Sequence, residues 1–394
     1  TAYADNELYN LDDCAGLPRL QSCVRGADPS TVKQWSQEVH VASTGDARIN
    51  WLSGAYFFTD ESYSHFFQTL PRLNPQPLND QISTSADTVY ALFGQATLHF
   101  NEQWGVTGGL RYSDEHSEIS NIGIGVRDNH DLVELENDWN NLSWRADLEY
   151  KAHENLLVYG GISTGFKSGG VRTTLLPEGS YDSFEPEDLL AYETGIKGQW
   201  PEWGLAVDAS AFYYDFDDLQ VSSVYVFEDR VIGEVENASG AEVYGLDIAG
   251  NLQMTERLQL SGGVVWLPKR EFVDYTSPRT GQDLSGNKLS RAPEWSGVVS
   301  LVYSLALAGQ GELSTRIEYA YRSKFYYTKE NLESESQGAH GLWSLFLRYE
   351  PAEGSWYAFA TGRNLTDEDY FHQVFLQSTP GYPDTYEVGL GFRF

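Results

Sequence analysis

Long apolar runs are missing from this chain. No stretch approaches eighteen apolar residues and the mean hydropathy is -0.42, so no helix built from it crosses a bilayer. Basic residues are scarce: 26 Lys and Arg stand against 57 Asp and Glu, for a formal net charge of -31. Nucleic acid is thereby excluded as a partner, because its recognition needs a basic footprint. Cysteine is limited to Cys14 and Cys23, and no accompanying His completes a zinc-ligand set. Inside a cell these read as two unrelated thiols; in an oxidising compartment they read as one local disulfide. No Ser-His-Asp or paired-carboxylate constellation stands out, which speaks against catalysis. The chain starts at Thr1 without an initiator Met, signal peptide or transit segment.

Aromatics and glycine are abundant. Aromatic residues make up 14% of the chain, with 25 Tyr, 11 Trp and 37 Gly. They fall in alternating segments, the mark of β-strands. Near the C-terminus, Tyr386, Val388, Leu390, Phe392 and Phe394 point one way, and Glu387, Gly389, Gly391 and Arg393 the other. Leu142, Trp144, Ala146, Leu148 and Tyr150 oppose Ser143, Arg145, Asp147, Glu149 and Lys151. Leu313, Ile317, Tyr319 and Tyr321 likewise oppose Ser314, Arg316, Glu318 and Arg322. Repeated inward charges are intolerable in a dry core but acceptable facing a wet lumen. A membrane barrel, with apolar side chains toward lipid and polar ones inward, accounts for both faces without a long apolar run.

The connections alternate too. Short ones, such as Asn101-Glu102-Gln103 and Thr255-Glu256-Arg257, intervene between long ones such as Asp60 to Ala86, Asp114 to Trp139 and Asp217 to Gly240. The last is expected to hold its own hairpin around Val221 to Val235. About sixteen strands follow from this scheme, giving an all-β, antiparallel up-and-down transmembrane barrel wall over residues 1–394, with long loops outside the cell.

Several blocks resemble the barrel of TonB-dependent outer-membrane receptors. The most specific is Tyr159-Gly160-Gly161-Ile162-Ser163-Thr164-Gly165-Phe166-Lys167-Ser168-Gly169-Gly170, followed by Phe184-Glu185-Pro186-Glu187 and Tyr192-Glu193-Thr194-Gly195-Ile196-Lys197. Asn237-Ala238-Ser239-Gly240-Ala241, Ala292-Pro293-Glu294-Trp295 and Asn364-Leu365-Thr366-Asp367 come later. The closing alternation up to Phe394 is similar to the C-terminal strand of bacterial outer-membrane barrels. The resemblance implies energised uptake of a scarce, bulky nutrient, most often a ferric siderophore, with outer-membrane lipid around the wall. It also implies coupling to the inner-membrane TonB complex through an N-terminal region. Family barrels have about 22 strands, so a plug domain and roughly six strands are expected to precede Thr1. A self-contained sixteen-stranded passive porin and a soluble secreted glycan-binding β-protein are the alternatives.

No cofactor or resident metal is implied. Gly165 to Gly170 lacks the Gly-Lys-Thr order of a phosphate-cradling loop and reads as glycines at the barrel rim. Asp114-Glu115-His116 with Glu118 reads as a solvated loop. Ligand candidates are aromatic and basic loop residues, since aromatics stack on planar ligands and Arg pairs with anions. They are Tyr63, His65, Phe66, Phe67, Arg172, Tyr181, Arg270, Tyr326, Tyr327 and His372. With Cys14 and Cys23 in one external loop, a disulfide between them is expected.

Overall fold

A computed structural model describes residues 2–12, 24–45, 47–70, 74–124, 129–171, 183–227, 230–375 and 377–393. Sixteen strands form one sheet in which spatial order follows chain order. They are β1 (Ala2–Asp12), β2 (Val24–Ala42), β3 (Ile49–Leu70), β4 (Asn74–His99), β5 (Trp104–Ile124), β6 (Asn129–His153), β7 (Leu156–Lys167) and β8 (Glu187–Trp200). After them come β9 (Leu205–Phe227), β10 (Arg230–Thr255), β11 (Leu258–Asp274), β12 (Trp295–Leu307), β13 (Gly311–Arg322), β14 (His340–Glu350), β15 (Trp356–Arg363) and β16 (Thr385–Phe392). Every neighbouring pair is antiparallel. No ladder among the described residues joins β1 to β16, and the wall is open there.

One end of the wall carries tight turns whose chemistry is local. The Asn101 Oδ1 accepts from the backbone N–H groups of Gln103 and Trp104 at 2.8 and 2.9 Å. Thr255 Oγ1 does the same for Arg257 and Leu258. Pro201–Trp203 forms a single 3-10 turn closed by Gly204 at φ 62°, a left-handed conformation that glycine adopts without strain.

Register sorts the side chains into two faces. On β16, Tyr386, Val388, Leu390 and Phe392 lie beside Gly362, Ala360, Ala358 and Trp356 of β15. This face is apolar and open: Val388 is 82% exposed and Leu390 65%. The same face continues through Ile317, Leu301, Val264, Ile248, Ile196, Leu148, Leu110 and Leu92. Aromatic rows bound it. Trp35–Phe57–Tyr90, Tyr192–Tyr213–Tyr244 and Trp266–Trp295 line the border away from the turns. Trp104–Tyr150, Trp200–Trp203 and Tyr349–Trp356 line the border beside them. From Tyr192 to Trp200 the strand runs about 27 Å, which on tilt matches the roughly 25 Å apolar band of an outer-membrane barrel.

The opposite face is polar. On β16 it presents Gly389 and Gly391, against which the rings of Phe359 and Tyr357 lie flush; any Cβ there would collide with those rings. Arg393 at the end of this row pairs with Glu350.

The segments Asp60 to Ala86 and Asp114 to Trp139, expected as loops, are hairpins continuing the ladder. β3 pairs with β4 as far as Leu70 and Asn74, and β5 with β6 as far as Ile124 and Asn129. β9 and β10 continue similarly, and the hairpin expected around Val221 to Val235 is present, with Val221 opposite Glu236. These strands of 21 to 26 residues far exceed the 9–11 a membrane crossing requires. The excess stands beyond the aromatic border as tall wings. The main buried cluster also lies at this end: Val221, Ala238, Ala241, Phe272, Tyr275 and Leu284, supported by Phe216, Leu219 and Leu289.

Candidate functional site

The polar face between β3 and β9 encloses a hollow of about 850 Å³. Its wall is assembled by register alone. Phe93 sits opposite Arg111, Arg111 opposite Ser143, Arg145 opposite Ser163, and Tyr159 opposite Glu149. Alternation thus delivers Arg111, Arg145, Asp147, Glu149, Glu193 and Lys197 to one surface. Their charges are locally matched. Arg145 Nε donates to Asp147 Oδ2 at 2.7 Å, and Tyr159 Oη donates to Glu193 Oε1 at 2.7 Å. Arg111 lies 5.7 Å from the centroid of Tyr56 and 5.8 Å from that of Phe93. A second group sits on β13–β16, where Arg348 stacks 3.9 Å from the centroid of Tyr357 and donates to Glu350. Exposed ion pairs of this kind add little stability. They make a wetted, hydrogen-bonding wall suited to sliding contacts with a polar occupant.

The mouth above this wall is built by the wings and four connections. Motif blocks far apart in sequence meet here. The Asn237 side chain clamps the backbone of Glu185: its Nδ2 donates to Glu185 O and Asp218 O, and its Oδ1 accepts from Glu185 N. Gln220 Nε2 donates to Ser168 O, tying Gly169 and Gly170 down; both pack against Phe184. Asn364, at φ 50°, donates to Glu368 O and Tyr382 O and closes the segment before β16. These blocks are fasteners of the rim.

The segments 275–294 and 323–339 are joined to each other. Asn331 Nδ2 donates to Lys288 O, Lys288 N donates to Asn331 Oδ1, and Asn287 Nδ2 donates to Lys329 O. Beneath them lies a buried triad. Lys329 pairs with Glu236, the Tyr275 hydroxyl donates to the same carboxylate, and Lys329 Nζ approaches Tyr275 Oη at 3.0 Å. Burial pushes the Tyr275 phenol up from its ordinary value.

The named ligand candidates distribute as follows. Tyr63, His65 and Phe67 alternate with Phe66 along β3, so the four do not share a face. His65 Nε2 meets Asp80 Oδ1 at 2.7 Å, and its ring lies 5.7 Å from Phe67. Arg270 is buried, donating Nε to Ala292 O and Nη1 to Leu267 O. Tyr326 donates to Glu333, and buried Tyr327 donates to Phe371 O at 2.6 Å. Exposed His372 stands edge-on to Tyr370 and Tyr382, and Tyr370 stacks on His340 at 5.3 Å. Arg172 and Tyr181, with Cys14 and Cys23, lie outside the described residues. Sequence reading had named neither the Tyr159–Glu193 pair nor the Lys329–Glu236–Tyr275 triad as site residues. The first was visible only as two polar residues in family-like blocks, the second not at all.

Residues 1–365 match the family described as "TonB dependent receptor-like, beta-barrel". The chain belongs to the TonB-dependent receptor family. Among solved structures it resembles the ferric yersiniabactin uptake receptor FyuA from Yersinia pestis, at TM-score 0.79 and 17% identity. That alignment covers 94% of this chain and 55% of the receptor. The siderophore receptor PiuA from Acinetobacter baumannii gives a TM-score of 0.75 at 15% identity, over 99% of this chain and 60% of that one. In sequence it is 22% identical to the pesticin receptor of Yersinia enterocolitica, over 77% of this chain and 43% of the receptor. The chain thus spans about half the length of the relatives it matches. Family members are outer-membrane β-barrels; the apolar face is accordingly the outer one, and the charged face lines the lumen.

Proposed function

We propose that this chain is the wall of an outer-membrane receptor for energised uptake of a scarce, bulky nutrient, with a ferric siderophore as substrate. The observation that carries this reading is the two-faced wall. An apolar band between two aromatic borders fits lipid, and a ladder of matched charges behind it fits a wet lumen. In this account the wings and rim capture the ligand. Energy arrives from the inner-membrane TonB complex through a plug and coupling segment N-terminal to the wall. Nothing in it assigns catalysis.

Two alternatives fare less well. A self-contained sixteen-stranded pore needs β16 paired to β1, and the described residues carry no such ladder. A soluble glycan-binding protein needs an outer face compatible with water, whereas this one exposes Val388, Leu390, Phe392, Leu92 and Leu110 at 60% or more.

The test is growth under iron limitation. A strain lacking the gene is supplied with ferric siderophores of several chemical classes, with and without the gene restored. Gene-dependent growth on at least one supports the proposal. Growth that never depends on the gene, for any iron complex, defeats it.

A further inference from the structure

The rim above β11–β14 leaves two cations open. From Lys269, near the outer end of β11, to the end of the segment 323–339, the chain holds nine Lys and Arg. Lys269, Arg270, Arg279, Lys288, Arg316, Lys324 and Lys329 each face a carboxylate. Arg291 and Arg322 face none among the described residues, and both are exposed. The carboxylates of 323–339 are engaged elsewhere: Glu333 pairs with Lys324, Glu335 accepts from Thr328 Oγ1, and Glu330 acts on Lys329 and Tyr275. The two open cations gather at one ring. Arg291 Cζ sits 5.5 Å from the centroid of Tyr327. Burial pushes the Tyr327 phenol up, and the charges of Arg291 and Arg322 pull it back down.

Arg291 is held there against its backbone preference. Its φ is 59°, in the left-handed region, where every other described non-glycine residue is Asn or Asp. Its N–H donates to Tyr326 O at 2.7 Å. Arg322 closes the lumenal row of β13 that holds Arg316 and Glu318, opposite Ser296 and His340. Rings continue from there. The His340 imidazole stacks on Tyr370 at 5.3 Å with 8° between planes, and His372 stands edge-on to Tyr370 and to Tyr382, which is 72% exposed. Two bonds lock the rings to the arginines' segment: Tyr327 Oη donates to Phe371 O at 2.6 Å, and Phe371 N donates to Gln337 Oε1 at 2.8 Å. A guanidinium fork pairs with anionic oxygens, and exposed rings stack on planar ones. Resting on the receptor reading above, we propose that Arg291 and Arg322 form an anion-binding site of the mouth, and that the cargo is a negatively charged iron complex carrying aromatic rings, of the catecholate class.

The experiment uses the receptor as its gene encodes it, purified in detergent, with binding read by quenching of its own fluorescence. Three probes separate charge from rings: trianionic ferric enterobactin, anionic ferric citrate without rings, and neutral ferrichrome. Ferric enterobactin is expected to bind tightest and ferrichrome weakest. Arg291→Gln and Arg322→Gln should each weaken both anionic probes by about tenfold or more, the loss of a charge-assisted hydrogen bond, while leaving ferrichrome unmoved. Arg322→Lys should recover part of the loss. Folding is checked by heat-dependent gel mobility; the two arginines lie on different elements, so either variant alone decides. Ferrichrome binding as tightly as ferric enterobactin, or anionic probes indifferent to both variants, overturns the proposal. Ferric citrate binding as tightly as ferric enterobactin overturns the aromatic class. Binding of ferrichrome alone defeats the proposal and leaves the receptor reading standing, whereas failure of every ferric complex to bind counts against that reading.

Discussion

Replacing Lys329 by Ala should unfasten the rim. Lys329 and Glu236 retain 5% and 4% of their side-chain exposure, and Tyr275 1%. Removing the ammonium leaves the Glu236 carboxylate buried with the Tyr275 hydroxyl as its remaining partner in the triad. Breaking a buried pair from one side costs about 3–5 kcal/mol, whereas the pair as a whole contributes little against a neutral substitute. Local opening of 275–294 and 323–339, which the triad underpins, should therefore rise about a hundred- to a few thousand-fold. The double variant Lys329→Met with Glu236→Gln removes both charges and keeps an acceptor for Tyr275. It is expected to recover most of the loss. Hydrogen exchange read by mass spectrometry resolves these segments from the wall strands. In Lys329→Ala, peptides from both segments should exchange faster while those from β12 and β13 keep their protection. Exchange equal to wild type in the single variant, or a double variant as labile as the single, would refute the reasoning.

Three further outcomes are expected. Hydrogen bonds to Glu118 and Asp138 raise the half-exposed His116 imidazolium from 6.5 to about 9. Its contribution is complete below pH 6.5 and is lost as pH climbs through about 9, so an NMR titration midpoint near 6.5 would show the His116 bonds to Glu118 and Asp138 absent. Gly391→Val must push back the Tyr357 ring, which is itself held under Arg348; overpacking of about 1–3 kcal/mol should lower the thermal midpoint, and an unchanged midpoint would contradict the close packing. Cys14 and Cys23 are expected to resist alkylation without reductant, and two alkylated thiols by intact mass would remove the disulfide.

Legibility in the sequence followed the contrast between faces. On β6 and β13 an apolar row opposes a largely charged one, and on β16 an apolar row opposes glycines flanked by Glu387 and Arg393; these strands and their two faces were readable from that alternation. The wings were misread as loops because neither face is apolar there. Along β3 from Asp60 to Ser64, and β4 from Ser83 to Asp87, polar side chains occupy both sides. What holds these strands is the ladder itself and bonds such as Thr59 to Thr88 and Ser62 to Ser85, which have no periodic signature. The rim was half legible. Motif blocks around Gly169, Glu185, Asn237 and Asn364 stood out one by one, but their contacts, such as Asn237 to Glu185, span tens of residues and follow only from the fold. The Lys329 triad joins three distant segments through single polar residues, so nothing in its local sequence marks it.

Energised uptake is the centre of this account, and radio-iron transport tests it most directly. Cells carrying the receptor should accumulate iron from a siderophore they can use for growth. Uptake should saturate, require the gene, and stop when an uncoupler collapses the inner-membrane proton gradient. Uptake that is gene-dependent but unsaturable and indifferent to the uncoupler would contradict the account and mark the wall as part of a passive pore.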